Sequence, residues 1–111
     1  PLLFNPGERW EYGLNIDVLG RLVEIWSGQT LAEFMRERIF EPLGMHNTFF
    51  SVPAEKLGRL ANVYIRSDRA LTRKPDDQLP PTDTAYYSGG AGLVTTATDY
   101  LRFCLMVLNC G

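Results

Sequence analysis

The sequence predicts a mainly α-helical chain with minor β structure. Three observations carry that prediction. Two threonine caps, Thr30 with Glu33 and Thr96 with Asp99, each precede an apolar run of helical period. A further helical-period run starts at Leu14 and is closed by Gly28. Strand character is confined to short pieces around residues 48–50 and 62–65. Of the 111 residues 45% are apolar, enough to bury a core in one domain of ordinary size.

The elements follow in order. Phe4-Asn5-Pro6-Gly7 is a turn signal, because proline presets φ and glycine tolerates positive φ, and it delivers the chain to Trp10-Glu11-Tyr12. The first helix then presents Leu14, Val18, Leu22, Ile25 and Trp26 on one stripe, widened by Leu19 and Val23, with Asp17, Arg21 and Glu24 off it. Thr30 and Glu33 have capping-box spacing for a second helix from about Leu31 to Phe40, which Pro42 stops and Gly44 redirects. Ser51 as a cap, with Pro53 in the first turn, opens a short helical turn through about Leu60. Asn62–Ile65 reads as a strand. From Ser67 to Ser88 the chain is polar and proline-rich, which fits a surface excursion with at most a small hairpin. The segment Ser88-Gly89-Gly90-Ala91-Gly92 turns the chain back into a last helix, about Ala97–Asn109, with a stripe of Tyr100, Phe103, Cys104, Val107 and Leu108.

Composition excludes several functions. Eleven basic against 13 acidic residues give a formal charge of -2, and no basic block or glycine-aromatic motif is present to draw a phosphate backbone, so nucleic acid is not an expected partner. No apolar run approaches the roughly 20 residues that cross a bilayer. Cys104 and Cys110 lie in no metal-ligand spacing and read as small buried or half-buried hydrophobes. His46, the sole histidine, falls in a turn without a second ligand and reads as a surface residue. Asp76-Asp77 reads as a solvated loop pair. Gly89, Gly90 and Gly92 lack the context of a phosphate loop and point instead to a close approach of chain to chain. No metal or organic cofactor is expected.

Three segments, in order, resemble the serine β-lactamase-like family, which includes class C β-lactamases, D-amino peptidases, penicillin-binding carboxypeptidases and family-eight esterases. Pro6-Gly7-x-x-Trp10-x-Tyr12, with Asp17-Val18-Leu19-Gly20 behind it, is similar to the family's Pro-Gly, aromatic, Tyr-Ser-x stretch. Phe40-Glu41-Pro42-Leu43-Gly44-Met45-x-x-Thr48 is similar to its Pro-Leu-Gly-Met turn, and Ser88-Gly89-Gly90-Ala91-Gly92-Leu93-Val94-x-Thr96 to its Gly-Gly-x-Gly-Leu segment. The resemblance implies the helical part of a β-lactamase-like α+β fold with the sheet domain missing, residues 1–111 forming a partial domain between the nucleophile motif and the last strand motif.

The resemblance also implies that Tyr12 is a catalytic base in an acyl-serine hydrolase acting on small ester or amide substrates. A free phenol has a pKa near 10, so a phenolate at neutral pH costs about 4 kcal/mol unless cations favour it. The family supplies one from the lysine of Ser-x-x-Lys. This chain does not contain that motif, nor the Lys/His/Trp-x-Gly motif that the family carries on a late strand, so it is expected to be inactive by itself and to self-associate through apolar surface left uncovered. Two departures stand at the tyrosine motif: Gly13 replaces the usual serine, and Leu14 stands where class C enzymes have asparagine, the nearest amide being Asn15. They tilt the expected substrate toward esters. They also leave open a non-catalytic binding or scaffold member of the family. A free-standing helical interaction module is disfavoured by the unfinished ends.

Overall fold

The computed structural model describes residues 2–67, 70–74 and 86–111. Helix α1 spans Asn15–Ser27, one residue later than the apolar run begins, and ends on Gly28 at φ 71°, whose N–H closes on the Glu24 carbonyl. That left-handed residue is the ordinary glycine solution to a helix C-terminus. The Thr30–Glu33 capping box forms in both directions and opens α2, Leu31–Met35. The helix does not stay α to Phe40: Arg36–Phe40 is a π turn, with the Glu41 N–H reaching the Arg36 carbonyl at 2.9 Å. Pro42 has no N–H to give Arg38, and its ring crowds that carbonyl, which favours the wider turn just before it. Gly44, at φ 65°, then reverses the chain.

Beyond the turn, Phe49 pairs antiparallel with Val94 through two 2.8 Å backbone hydrogen bonds, the extended piece expected near Thr48–Phe50. A 3-10 helix covers Ala54–Arg59. Ser51 does not cap it; Pro53 holds the capping position, and with no side-chain acceptor it leaves the turn without a side-chain cap. Strand β1, Tyr64–Arg66, pairs antiparallel with β2, Leu71–Arg73, in the register Tyr64 to Arg73. The strand thus begins two residues after Asn62, and the small hairpin expected in the polar excursion forms at its start. Asp76 and Asp77 lie outside the described residues. Helix α3 spans Ala97–Leu108, with the Thr96 hydroxyl accepting the Asp99 N–H at 3.2 Å.

The buried apolar residues are Leu31, Phe40, Met45, Phe50 and Val52, so the core gathers around α2 and the turn after it. At its edge Asp99, 1% exposed, ties the start of α3 to that turn. One carboxylate oxygen accepts the Asn47 N–H at 2.7 Å and the Thr48 hydroxyl at 3.1 Å; the other accepts Arg102 Nη1 at 2.9 Å. Thr48, its proton given to Asp99, accepts from Thr95 at 2.8 Å, and Arg102 reaches on to the Gly44 carbonyl at 2.7 Å. Satisfying every polar group is the condition for burying such a cluster.

The long helices are less covered than their stripes imply. On α1, Leu22 and Val23 are half-buried while Leu14, Val18, Leu19, Ile25 and Trp26 are exposed. On α3 the half-buried residues are Phe103 and Met106; Tyr100, Val107, Leu108 and both free cysteines, Cys104 and Cys110, are exposed. The reading of the cysteines as buried hydrophobes is therefore corrected. Helix α3 is anchored by its first turn through Asp99, and no other named helix or strand packs broadly along its later turns among the described residues. The radius of gyration, 17.1 Å, exceeds the roughly 13 Å of a closed domain of this length.

Candidate active site

The Pro6-Gly7 turn is fixed by Asn5 and Glu8. The Glu8 N–H donates to the Asn5 carbonyl at 3.2 Å, and the Glu8 carboxylate accepts the Asn5 N–H at 3.1 Å and side-chain amide at 2.8 Å. Those bonds hold the Glu8 carboxyl below the usual carboxylate range. Gly7 takes φ 89°, and the chain runs on through Trp10, Glu11 and Tyr12 in neither helix nor strand. Tyr12 stands 83% exposed, its ring 6.5 Å from that of Trp10, on the wall of an open concavity of about 620 Å³ with Phe4, Arg9, Gly13 and Asn15. Arg9 is the cation among its lining residues, and its guanidinium lies 4.3 Å over the Phe4 ring. His46 is exposed in its turn, where its carbonyl accepts Lys56 Nζ at 2.8 Å. Among the described residues no three His, Cys, Asp or Glu side chains gather as metal ligands, and no helix is long and apolar enough to cross a membrane.

The glycine segment makes the close approach expected of it. Gly89 lies against the first turn of α1, where a Cβ would fall onto the Ile16 carbonyl oxygen. Facing it, Gly20 is tightly packed as well: a Cβ there would meet Gly89 Cα at 3.2 Å and Leu31 Cδ2 at 3.0 Å. Gly89→Ala is expected to destabilise by about 2 kcal/mol, since backbone rather than a pliable side chain must yield. A urea midpoint unchanged from wild type would contradict that packing.

Beside this crossing sits a constellation that reading the residues did not find. The Asp17 carboxylate accepts the Tyr86 hydroxyl at 3.0 Å and the Ser88 hydroxyl on the same oxygen, and Ser88 Oγ in turn accepts the Gly90 N–H at 3.2 Å. Ser88 first, then Tyr86 and the N–H groups of Gly90 and Gly89, hold the Asp17 carboxyl below the ordinary aspartate range. The same bond to Asp17 pushes the Tyr86 phenol up. No local pattern could have revealed the pairing, because Asp17 and Ser88 stand 71 residues apart.

Comparison with known proteins supplies the wider setting. A family model described as Beta-lactamase matches residues 1–109. A Mycobacterium tuberculosis protein is 39% identical over 113 residues, covering 100% of this chain and 28% of its own length. The esterase EstB of Burkholderia gladioli is 35% identical over 119 residues, 92% of this chain and 30% of the esterase. A simvastatin synthase structure from Aspergillus terreus superposes with TM-score 0.85 at 28% identity, over 97% of this chain and 27% of that one. The chain thus spans under a third of the length of each of these relatives.

Proposed function

The chain belongs to the β-lactamase family, acyl-serine hydrolases and acyltransferases of esters and amides, and from that premise we propose that it is the Tyr12-bearing helical segment of a longer serine hydrolase. The observation that carries this reading is the placement of Tyr12. It stands exposed on an open wall immediately before α1, on the short segment that matches the family's tyrosine motif. In the reaction proposed, the Tyr12 oxygen takes the proton of a serine hydroxyl as the serine oxygen attacks the substrate carbonyl. The oxyanion that forms is held by backbone N–H groups. Collapse expels the alcohol, which takes the proton back, and water then releases the acyl group by the reverse route.

The serine and its lysine belong to a segment outside these 111 residues, so this chain alone forms no acyl-enzyme. The exposed faces of α1 and α3 support the same picture: they are surfaces for the remaining domain to cover, and in the isolated chain they favour self-association. Esters are the proposed substrates ahead of amides, because Leu14 stands where class C enzymes carry an amide side chain. The kinship with an esterase supports that order.

Turnover of a short-chain nitrophenyl ester and of a chromogenic cephalosporin by the longer protein tests the proposal. Ester hydrolysis is expected, slower cephalosporin hydrolysis, and none by this chain alone, which should sediment as oligomers. Turnover by the isolated chain, or a compact monomer at high concentration, would count against the partial-domain reading. A longer protein inert toward both substrates would favour the second reading, a scaffold member of the family, which the Gly13 and Leu14 departures support.

A further inference from the structure

We propose that Asp17 is a positioning residue, which by gathering Tyr86, Ser88 and the glycine turn against the first turn of α1 fixes the place of Tyr12. The inference rests on the reading of Tyr12 as the base. Helix α1 takes its first intrahelical acceptor from its capping residue Leu14, whose carbonyl receives the Val18 N–H at 3.1 Å, so the cap lies two residues after Tyr12. Leu14 gives that first turn no side-chain cap. The restraint comes from across the chain, on two sides of the same turn.

On one side, the Gly89 backbone is pressed on the Ile16 carbonyl and on Gly20, a contact with no room for a methyl group. On the other, one oxygen of Asp17 holds Tyr86 and Ser88, and Ser88 holds the N–H of Gly90. A glycine segment has no side chain of its own to set its position, so the hydrogen bonds from Asp17 decide where it rests. Loosening them frees the Gly89 contact and with it the first turn of α1. Tyr12 is joined to that turn by Gly13 and Leu14 alone, so its place follows that of the turn. A base displaced by about 1 Å loses on the order of a hundredfold in rate, while a binding surface made elsewhere is unaffected.

The test uses the longer protein, with nitrophenyl ester hydrolysis read as kcat and KM separately. For Asp17→Asn, kcat is expected to fall about ten- to a hundredfold with KM within about threefold of wild type. Ser88→Ala should lower kcat less, and the double variant should be no slower than Asp17→Asn alone, because both act through one contact. Asp17→Glu, which keeps the charge, should recover part of the loss.

The proposal is overturned if kcat of Asp17→Asn stays within about twofold of wild type, if the loss lies in KM, or if the two single losses multiply. Should Asp17→Asn fail to fold, Ser88→Ala and Tyr86→Phe each remove one donor and carry the same test; unchanged kcat in both overturns it. Tyr12→Phe beside them separates the two claims. If it alone loses activity, the base stands and the positioning role fails; if it keeps full activity, the base reading itself fails.

Discussion

Tyr12→Phe, made in the longer protein, is expected to lower kcat/KM for a short-chain nitrophenyl ester by about a thousandfold or more. The substitution removes one oxygen. The ring, and with it the contact with Trp10 at 6.5 Å, is kept. Because the ring is kept and only a hydroxyl is removed, the urea midpoint should hardly move. What is lost is the proton acceptor for the serine, and a positioned general base contributes roughly a hundred- to ten-thousandfold. KM should change little, since the phenol acts on the nucleophile rather than on bound ester. A fall of that size accompanied by lost folding would instead assign Tyr12 a structural part.

Asp99→Ala is expected to cost about 3 kcal/mol of stability. The 1% exposed carboxylate is the common acceptor for the Asn47 N–H, the Thr48 hydroxyl and Arg102, and removing it leaves the first two without that partner in a buried place. It also releases Arg102 from the pair that aims it at the Gly44 carbonyl. Asp99→Asn should cost less, because an amide oxygen still serves one of the two groups of donors. Denaturant unfolding of the longer protein checks both; a shift under about 0.5 kcal/mol for Asp99→Ala would mean that α3 is not anchored there.

Asp99 also marks what was legible in the sequence. Its place after Thr96 identified it as the partner of a helix cap, because capping depends on residues three apart. Its larger part, gathering Asn47 and Thr48, depends on groups 52 and 51 residues away that no local pattern connects. The same division runs through the fold. The Thr30–Glu33 box, the Gly28 stop and the Pro42–Gly44 reversal are each settled within a few residues and were readable; of the glycine close approach only the glycines were, not the helix they meet. The apolar stripes of α1 and α3 identified the right helices, but they record which faces require cover, and Tyr100, Cys104, Val107 and Leu108 on α3 are exposed. The π turn follows from Pro42 acting backward on the preceding helix, a tertiary compromise that helix periodicity does not encode. At the site, the motif around Tyr12 was visible, whereas the Asp17–Ser88–Tyr86 constellation required the fold to bring its members together.

Reaction of the longer protein with a nitrophenyl alkylphosphonate isolates the step assigned to Tyr12. Each serine modified releases one nitrophenolate, irreversibly, so the rate reports nucleophile activation without deacylation. The expected result is stoichiometric release by the wild type and release about a thousandfold slower from Tyr12→Phe. Equal rates in the two proteins would contradict Tyr12 as the base.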